Sequence, residues 1–580
     1  MLLIAIHSTS GPVGRGIAHL DHRRVSLEGG VACDIYFDPH RYTVRVSDDT
    51  LTVEDAIARF GTLWTFSPHG LSGTLAKPHM FGLPMYYAAD RTSFFASTNV
   101  RLLRACGVSL AENPDVLPEY FVFRYVTPPN TLFRNVRSLP VGGHITVRVD
   151  GTQVTTSDVK WTDVLNHGAE RYSLARGVEL CQQDLEAQFD ELKAGGRSIA
   201  CLLSGGLDSS VLYKLSRDKL GLQESHSTAY PFEDDTINRE RGERHYAETA
   251  AAAFGARHTY HEFSTPQFLH GMVESIDHAE APLIHLQSIL LNMIYKDGLK
   301  PTDEIVLNGQ GADALVGLTT MFRYLDKKYL VHRELAPLLW LASAIVPESF
   351  FPFGRYHNWS LRKWNLDFAN PAHALWMMGE FGDRAWVQAY FGVDDATIVK
   401  GRLEAISQFP VDSVLDAFSI LDFISDVGLT QDIWGQLASS NGKRNYYPYN
   451  SPGLIQAVVR VPWEEKLTRP KQLMFSLGKR LQVPEFILSR PKIGFGVKSA
   501  YWSGPGGLAE PLLDVAAPVV DVELVRRFQG DDEKRAMIYW NWLNYGLWKR
   551  MIVNDEPRER LSAELEEAIQ RRAGNLTRHC

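Results

Sequence analysis

"SIACLLSGGLDSSVLYKLSRD", Ser198 to Asp218, is the stretch on which the reading of this chain turns. The apolar run SIACLLS reads as a buried strand and SSVLYKLSRDKLG as a helix, with two adjacent glycines and an aspartate between them. A strand that ends in glycines and runs into a helix makes an anion cradle. The glycines let the backbone approach a ligand closely, and the first amides of the helix face negative charge. Ser204, Ser209 and Ser210 can add hydroxyl donors. Asp208 would be repelled by a bare phosphate, so it points to Mg²⁺ held by carboxylate and phosphate oxygens together. The lysine-bearing P-loop spacing is absent, and with it the natural inference of γ-phosphate transfer.

Outward from this point the pattern organises the chain. SLARGVELCQQDLEAQFDELKAG, before it, is an amphipathic helix stopped by Gly195–Gly196. ESHSTAY, RHTYHEF and EIVLNG, after it, read as strands, and RGERHYAETAAAAFG as a helix. Strands alternating with helices predict parallel βαβ units and a layered α/β sheet. Residues 1 to about 155 read differently: VACDIYFD, RYTVRVSD, TSFFAST and GHITVRVDG are short strands punctuated by Gly, Pro and Asp, which predicts packed sheets with few helices. At 580 residues the chain exceeds what one core usually supports. We expect one domain over 1–165 and another over 166–580. Within the second, 318–415 forms a helical, aromatic-rich insertion, either extra core or a lid or groove for a peptide. Residues 556–580 read as a charged, solvated end.

Composition narrows the function. A net charge of −8 argues against a phosphate-tracking surface, so no nucleic-acid partner is expected. Cys33, Cys106, Cys181, Cys201 and Cys580 are scattered, without metal-ligand spacing, and read as free thiols. The first residues, MLLIAIHSTSG, are too short an apolar run for a signal peptide. The run from Leu335 to Pro347 falls short of the roughly 20 residues that span a bilayer. A cytoplasmic protein with no membrane span is the expectation.

LLSGGLDSS resembles the pyrophosphate-binding loop of asparagine synthetases and their relatives. VLNGQGADALVG (Val306–Gly317) is similar to their second acidic motif, and RPKQLMFSLGKRLQVPEFILSRPKIGFGV to their C-terminal basic run. NTLFRNVRSLPVGGHITV is similar to the end of their first domain. The resemblance implies an α+β and α/β architecture, in which a glutaminase-like αββα sandwich precedes a parallel-sheet ATP-pyrophosphatase domain. It implies ATP and Mg²⁺ as cofactors and acyl-adenylate chemistry. ATP would be bound by Leu203, Ser204, Gly205, Gly206, Asp208, Ser209, Ser210, Gly309, Gln310, Gly311 and Lys471. Asp208 and Asp313 would hold the metal, and Lys492, accompanied by Arg490 and Phe495, would stabilise the transition state.

The departures are informative. Glutamine-dependent relatives carry a cysteine after Met1, where this chain has Leu2, so the sandwich is expected to be degenerate and the amine to belong to the substrate. That resembles β-lactam synthetases and lasso-peptide cyclases. Gln310 stands where β-lactam synthetases have a tyrosine, and Ala314 replaces an acid. Asp422, Asp426 and Asp432 in LDFISDVGLTQDIW fall near the place of the missing base, and Asp426 and Asp432 are the candidate catalytic groups. The expected function is macrolactam closure in a ribosomal core peptide, with a leader-peptide protease as partner. The alternative is a β-lactam synthetase or an ammonia-dependent asparagine synthetase-like enzyme.

Overall fold

The computed structural model describes residues 1–8, 20–26, 31–47, 50–55, 62–161, 163–166, 168, 170–230, 242–317, 382–411, 413–490, 503–504, 507–530 and 533–576. The amino-terminal domain is built from two antiparallel sheets. The first contains β1 (Leu2–Ser8), β2 (Asp21–Ser26), β3 (Val31–Phe37), β8 (Tyr86–Ala89), β9 (Phe94–Ser97) and β10 (Arg137–Ser138), in the order β10-β8-β9-β1-β3-β2. The second contains β4 (Tyr42–Val46), β5 (Leu51–Asp55), β6 (Thr62–Ser67), β7 (Ser72–Ala76), β11 (Gly143–Asp150) and β12 (Gln153–Thr156), with β13 (Lys160–Trp161) beside β11. Alternation along the strands explains their sequences. Leu2, Ile4 and Ile6 of β1 join Cys33, Ile35, Trp64, Phe66 and Ile145 in the core between the sheets. Leu3 faces the other way, into the larger core shared with the rest of the chain. Buried on both sides, β1 reads as an unbroken apolar run.

The second domain holds a parallel sheet whose strands lie where the alternating pattern puts them. β14 (Ile199–Cys201), β17 (Ile305–Leu307) and β18 (Arg444–Tyr446) are parallel neighbours, as are β15 (Glu224–Thr228) and β16 (Arg257–His261). A parallel bridge between Leu202 and His226 joins the two sets. The spatial order is therefore β16-β15-β14-β17-β18. The chain leaves β14 toward one edge and returns to β17 on its other side, so the connections diverge between β14 and β17. A crevice opens at the carboxyl ends of strands at such a reversal.

Local signals fix the flanking helices. Ser173 Oγ accepts from the Arg176 amide at 3.3 Å to start helix Leu174–Gly195, and Gly196 ends it at φ 65°. Helix Leu207–Leu220 begins at Gly206 and stops at Gly221, φ 70°. The carboxyl-terminal segment corrects an expectation. Helix Arg558–Leu576 is docked rather than merely solvated: Leu561, Leu565 and Ala568 are fully buried, and Glu564 pairs with the buried Arg550. Its charged residues cover one face only, which a count of charge does not reveal. Within the expected insertion, residues 318–381 lie outside the described residues. Helices Arg384–Phe391 and Asp395–Ile406 follow, and Trp386 packs on Phe121 with ring centroids 6.2 Å apart. Among the described residues no helix is long and apolar enough to cross a membrane.

The two domains meet through buried polar contacts. Lys77 Nζ lies 2.5 Å from Asp432, both nearly inaccessible, and Arg41 donates to the Ser439 carbonyl at 2.7 Å. A Cβ on Gly435 would collide with the carbonyl oxygen of Gly82, so backbone meets backbone there. Lys77→Met leaves the Asp432 carboxyl buried without its partner and is expected to cost about 3–5 kcal/mol, read by denaturant unfolding. Lys77→Met combined with Asp432→Leu should recover much of that loss.

Candidate active site at the sheet reversal

The crevice expected between β14 and β17 is a cleft of about 570 Å³. Its floor is the loop after β14, its wall the loop after β17, and its rim the segment Arg469–Lys471 with Arg490. The glycine loop is shaped by its own side chains. Gly205 has φ +70°, and a Cβ there would run into the Tyr246 carbonyl, so this position admits only glycine without rearrangement. Ser204 Oγ accepts from the Gly206 amide at 3.3 Å and lies 3.0 Å from Ser209 Oγ, which donates to the Gly206 carbonyl at 3.1 Å. Leu203, Ser204, Gly206, Asp208 and Ser209 line the cleft, as do Gly309 and Gln310. Gly205 and Gly311 shape the loops from behind. Ser210 differs from expectation: it is fully buried on the core side of its helix and does not line the cleft. Helical periodicity turns consecutive side chains about 100° apart, so Ser209 and Ser210 cannot share a face.

Lys471 ties the two acidic loops together. Its Nζ is 2.5 Å from Asp208 Oδ2 and also pairs with Asp313 Oδ1. Burial works against the ammonium, but the two carboxylates outweigh it and hold its pKa above the ordinary lysine value. Lys471 adopts φ +56°, a left-handed conformation costly for a side-chain-bearing residue, and its amide donates to the Gly317 carbonyl at 3.2 Å. Among the described residues, Asp208 Oδ1 is buried without a hydrogen-bond partner. Two carboxylates converging on a cleft, one with an oxygen left over, are a hard-oxygen donor set that suits Mg²⁺. The Tyr449 hydroxyl donates to the Asp208 carbonyl at 2.8 Å and fixes the start of the helix from below.

Arg490 closes the rim. Its guanidinium lies 3.8 Å above the Tyr246 ring, donates to the Ser204 carbonyl at 3.2 Å and pairs with Glu243 at 2.8 Å. Burial pushes the Glu243 carboxyl up, and Arg490 opposes that. Lys492 and Phe495 lie outside the described residues. His226 also lines the cleft, its Nδ1 3.1 Å from His261 Nε2. Burial holds both imidazoles below the usual histidine range, His261 at about 4. Nothing in the sequence marked His226, because its place depends on the Leu202 bridge.

The candidate bases fall elsewhere. Asp426 lies 3.2 Å from His285 Nε2; burial would raise its pKa, but His285, Arg124 and Arg402 outweigh this and keep it ionised. Asp432 is held by Lys77 and borders a separate small cavity between the domains. Asp422 is buried. Neither Asp426 nor Asp432 lines the cleft. The partners of these charged residues come from remote segments, which a single helical stretch does not show. The described thiols are equally disengaged: burial pushes Cys33 and Cys201 up to about 12 and Cys106 to about 11, and raises Cys181 as well.

Residues 182–550 match the asparagine synthase family, and residues 55–158 match a glutamine amidotransferase domain. The chain belongs to the asparagine synthase family. Among its relatives is an asparagine synthetase (glutamine-hydrolysing) of Bacillus subtilis, 22% identical over 466 residues, covering 76% of this chain and 67% of the relative. A Mycobacterium tuberculosis protein whose name ascribes to it the same activity is 23% identical over 489 residues, covering 75% and 67%. The family's members are ATP-dependent carbon–nitrogen ligases, and the cleft at the β14–β17 reversal lies within the matched residues.

Two outcomes are expected. Gly205→Ala should lower stability by about 1–3 kcal/mol through forced left-handed backbone, measured by thermal unfolding. Native alkylation with iodoacetamide at pH 8, followed by mass spectrometry, should leave Cys33, Cys181 and Cys201 unmodified, since each is buried and its thiolate is disfavoured.

Proposed function

We propose that this protein is an AMP-forming amide ligase that closes a macrolactam in a ribosomal peptide. The observation that carries the chemistry is the convergence of Asp208 and Asp313 on one point of a glycine-lined cleft at the strand reversal. In this reading Asp208 and Asp313 hold Mg²⁺, which draws off charge from the triphosphate. The backbone around Gly205 and Gly206 and the hydroxyls of Ser204 and Ser209 bind the pyrophosphate portion, and Lys471 reaches its oxygens. A side-chain carboxylate of the peptide attacks the α-phosphorus, the α–β phosphoanhydride bond breaks, and pyrophosphate leaves with the electron pair. The peptide's amine nitrogen then attacks the acyl carbon, expels AMP and gives up a proton. Lys492, two residues beyond the anchored Arg490, is the proposed stabiliser of the oxyanion in both steps.

The described thiols support an amine supplied by the substrate. Glutamine hydrolysis in this family's manner needs a reactive cysteine, and every described thiol is buried or half-buried with a raised pKa. An amine carried by the substrate supports intramolecular closure, and the aromatic segment Glu348–Trp364 supports a peptide rather than a small molecule. A protease that frees the core peptide would be the partner such a substrate implies. A second reading is a synthetase acting on a small amino acid, by β-lactam closure or with free ammonia; the names of the relatives, asparagine synthetases, favour a small amino acid as substrate.

Protein incubated with ATP, Mg²⁺ and a freed core peptide should release AMP and pyrophosphate and return a peptide one water lighter. Asp208→Ala and Lys492→Ala should each slow this by about 10²-fold or more. ADP as the product overturns the chemistry. Pyrophosphate release with aspartate and ammonia, and none with peptide, moves the assignment to the second reading.

A further inference from the structure

Beside the cleft, a chain of side-chain amides runs from the amino-terminal domain to the loop that carries Asp313. It starts in the strap Lys77–Gly82, which follows β7. The strap is tied to its own domain by the Lys77 amide donating to Gly143 O at 2.9 Å and the Gly142 amide donating to Lys77 O at 3.1 Å. Asn450 Nδ2 donates to the His79 carbonyl at 3.1 Å and to Gln431 Oε1 at 2.6 Å. Gln431 Nε2 donates to the Gln310 carbonyl at 3.3 Å. Each amide proton of Asn450 is thereby used, and the direction of donation runs one way from Asn450 through Gln431 to the loop. Asn450 and Gln431 are fully buried.

The packing around this chain leaves little freedom. Gly311, the residue after Gln310, has φ +109°, and a Cβ there would strike Asn450 Oδ1. A Cβ on Gly82 would strike the Gln431 carbonyl. The Tyr447 amide donates to the Met80 carbonyl at 3.0 Å, so β18's exit is fastened to the same strap. Pinning the Gln310 carbonyl fixes the peptide plane leading into Gly311 and, two residues on, the position of Asp313.

We propose that Asn450 and Gln431 are positioning residues that use the strap Lys77–Gly82 of the amino-terminal domain as an anchor for the Asp313 loop. This rests on the reading of Asp208 and Asp313 as a Mg²⁺ pair. It also gives the domain without an engaged thiol a task in this chain: it is part of the frame of the cleft, and the frame reaches the Asp313 loop through two side-chain amides and three hydrogen bonds.

The test uses the full chain and Mg²⁺-dependent binding of a fluorescent ATP analogue. Gln431→Met keeps the side chain's length and removes its hydrogen bonds; Asn450→Ser keeps one hydroxyl. Both should raise the Mg²⁺ concentration for half-maximal binding by about tenfold or more, as loss of an outer-shell partner does elsewhere. Arg41→Ala weakens the domain contact at Ser439 without touching the amide chain, and should leave the Mg²⁺ requirement unchanged. Gln431→Met or Asn450→Ser binding with the wild-type Mg²⁺ requirement overturns the inference, as does an equal shift in Arg41→Ala, which would show a general effect of domain docking. Wild-type protein that binds the analogue without regard to Mg²⁺ overturns instead the reading of the carboxylate pair.

Discussion

The ammonium of Lys471 between the carboxylates of Asp208 and Asp313 is the interaction around which the molecule is arranged. Two carboxylates brought together inside a protein repel each other, and the low local dielectric enlarges that repulsion. They stay together because each is delivered by a loop at the end of adjacent parallel strands, β14 and β17, and because a cation is held between them. Lys471 accepts a left-handed backbone to be there. Structure that tolerates such local cost is characteristic of sites kept for chemistry.

Delivery of Asp208 and Asp313 depends on different devices. Asp208 sits in the first turn of a long helix, set by a local web of Ser204, Gly206 and Ser209 that adjacent sequence can make by itself. Asp313 begins a helix of only one turn, Ala312–Val316, which has little stability of its own. Its loop takes support from outside: Gln431, Asn450 and, behind them, the other domain. The interface contains the buried Lys77–Asp432 pair and the contact of Gly435 with Gly82, both unforgiving of displacement.

Several features were legible in the sequence for definite reasons. The turn at Gly205–Gly206, the helices ending at Gly196 and Gly221, and the strands of the sandwich follow from short-range rules: alternation, helical period and positive-φ glycines. A motif names residues without stating which side of the helix each occupies, and Ser210 lies on the core side. Asp426 and Asp432 lie outside the cleft for a related reason. Whether a carboxylate acts as a base or closes an ion pair depends on what faces it, and His285 and Lys77 come from segments remote in sequence. In the tail helix charge outweighs apolar residues in number, so composition alone suggests solvation, while Leu561 and Leu565 lie on a single buried stripe.

The sequence by itself determined the alternating strands and helices, the glycine turn after β14 and the acidic residues available to a phosphate ligand, because each of these depends on neighbours a few positions away. Only the tertiary structure decided that Asp208 and Asp313 converge on Lys471, that Asp432 belongs to Lys77, and that Asn450 and Gln431 link the two domains to the Gln310 carbonyl. Apart from the Asn450–Gln431 bond, those pairings join residues more than a hundred positions apart, and hydrogen bonds and ion pairs act only over a few ångströms. Strand order and domain docking, which no local pattern encodes, choose the partners.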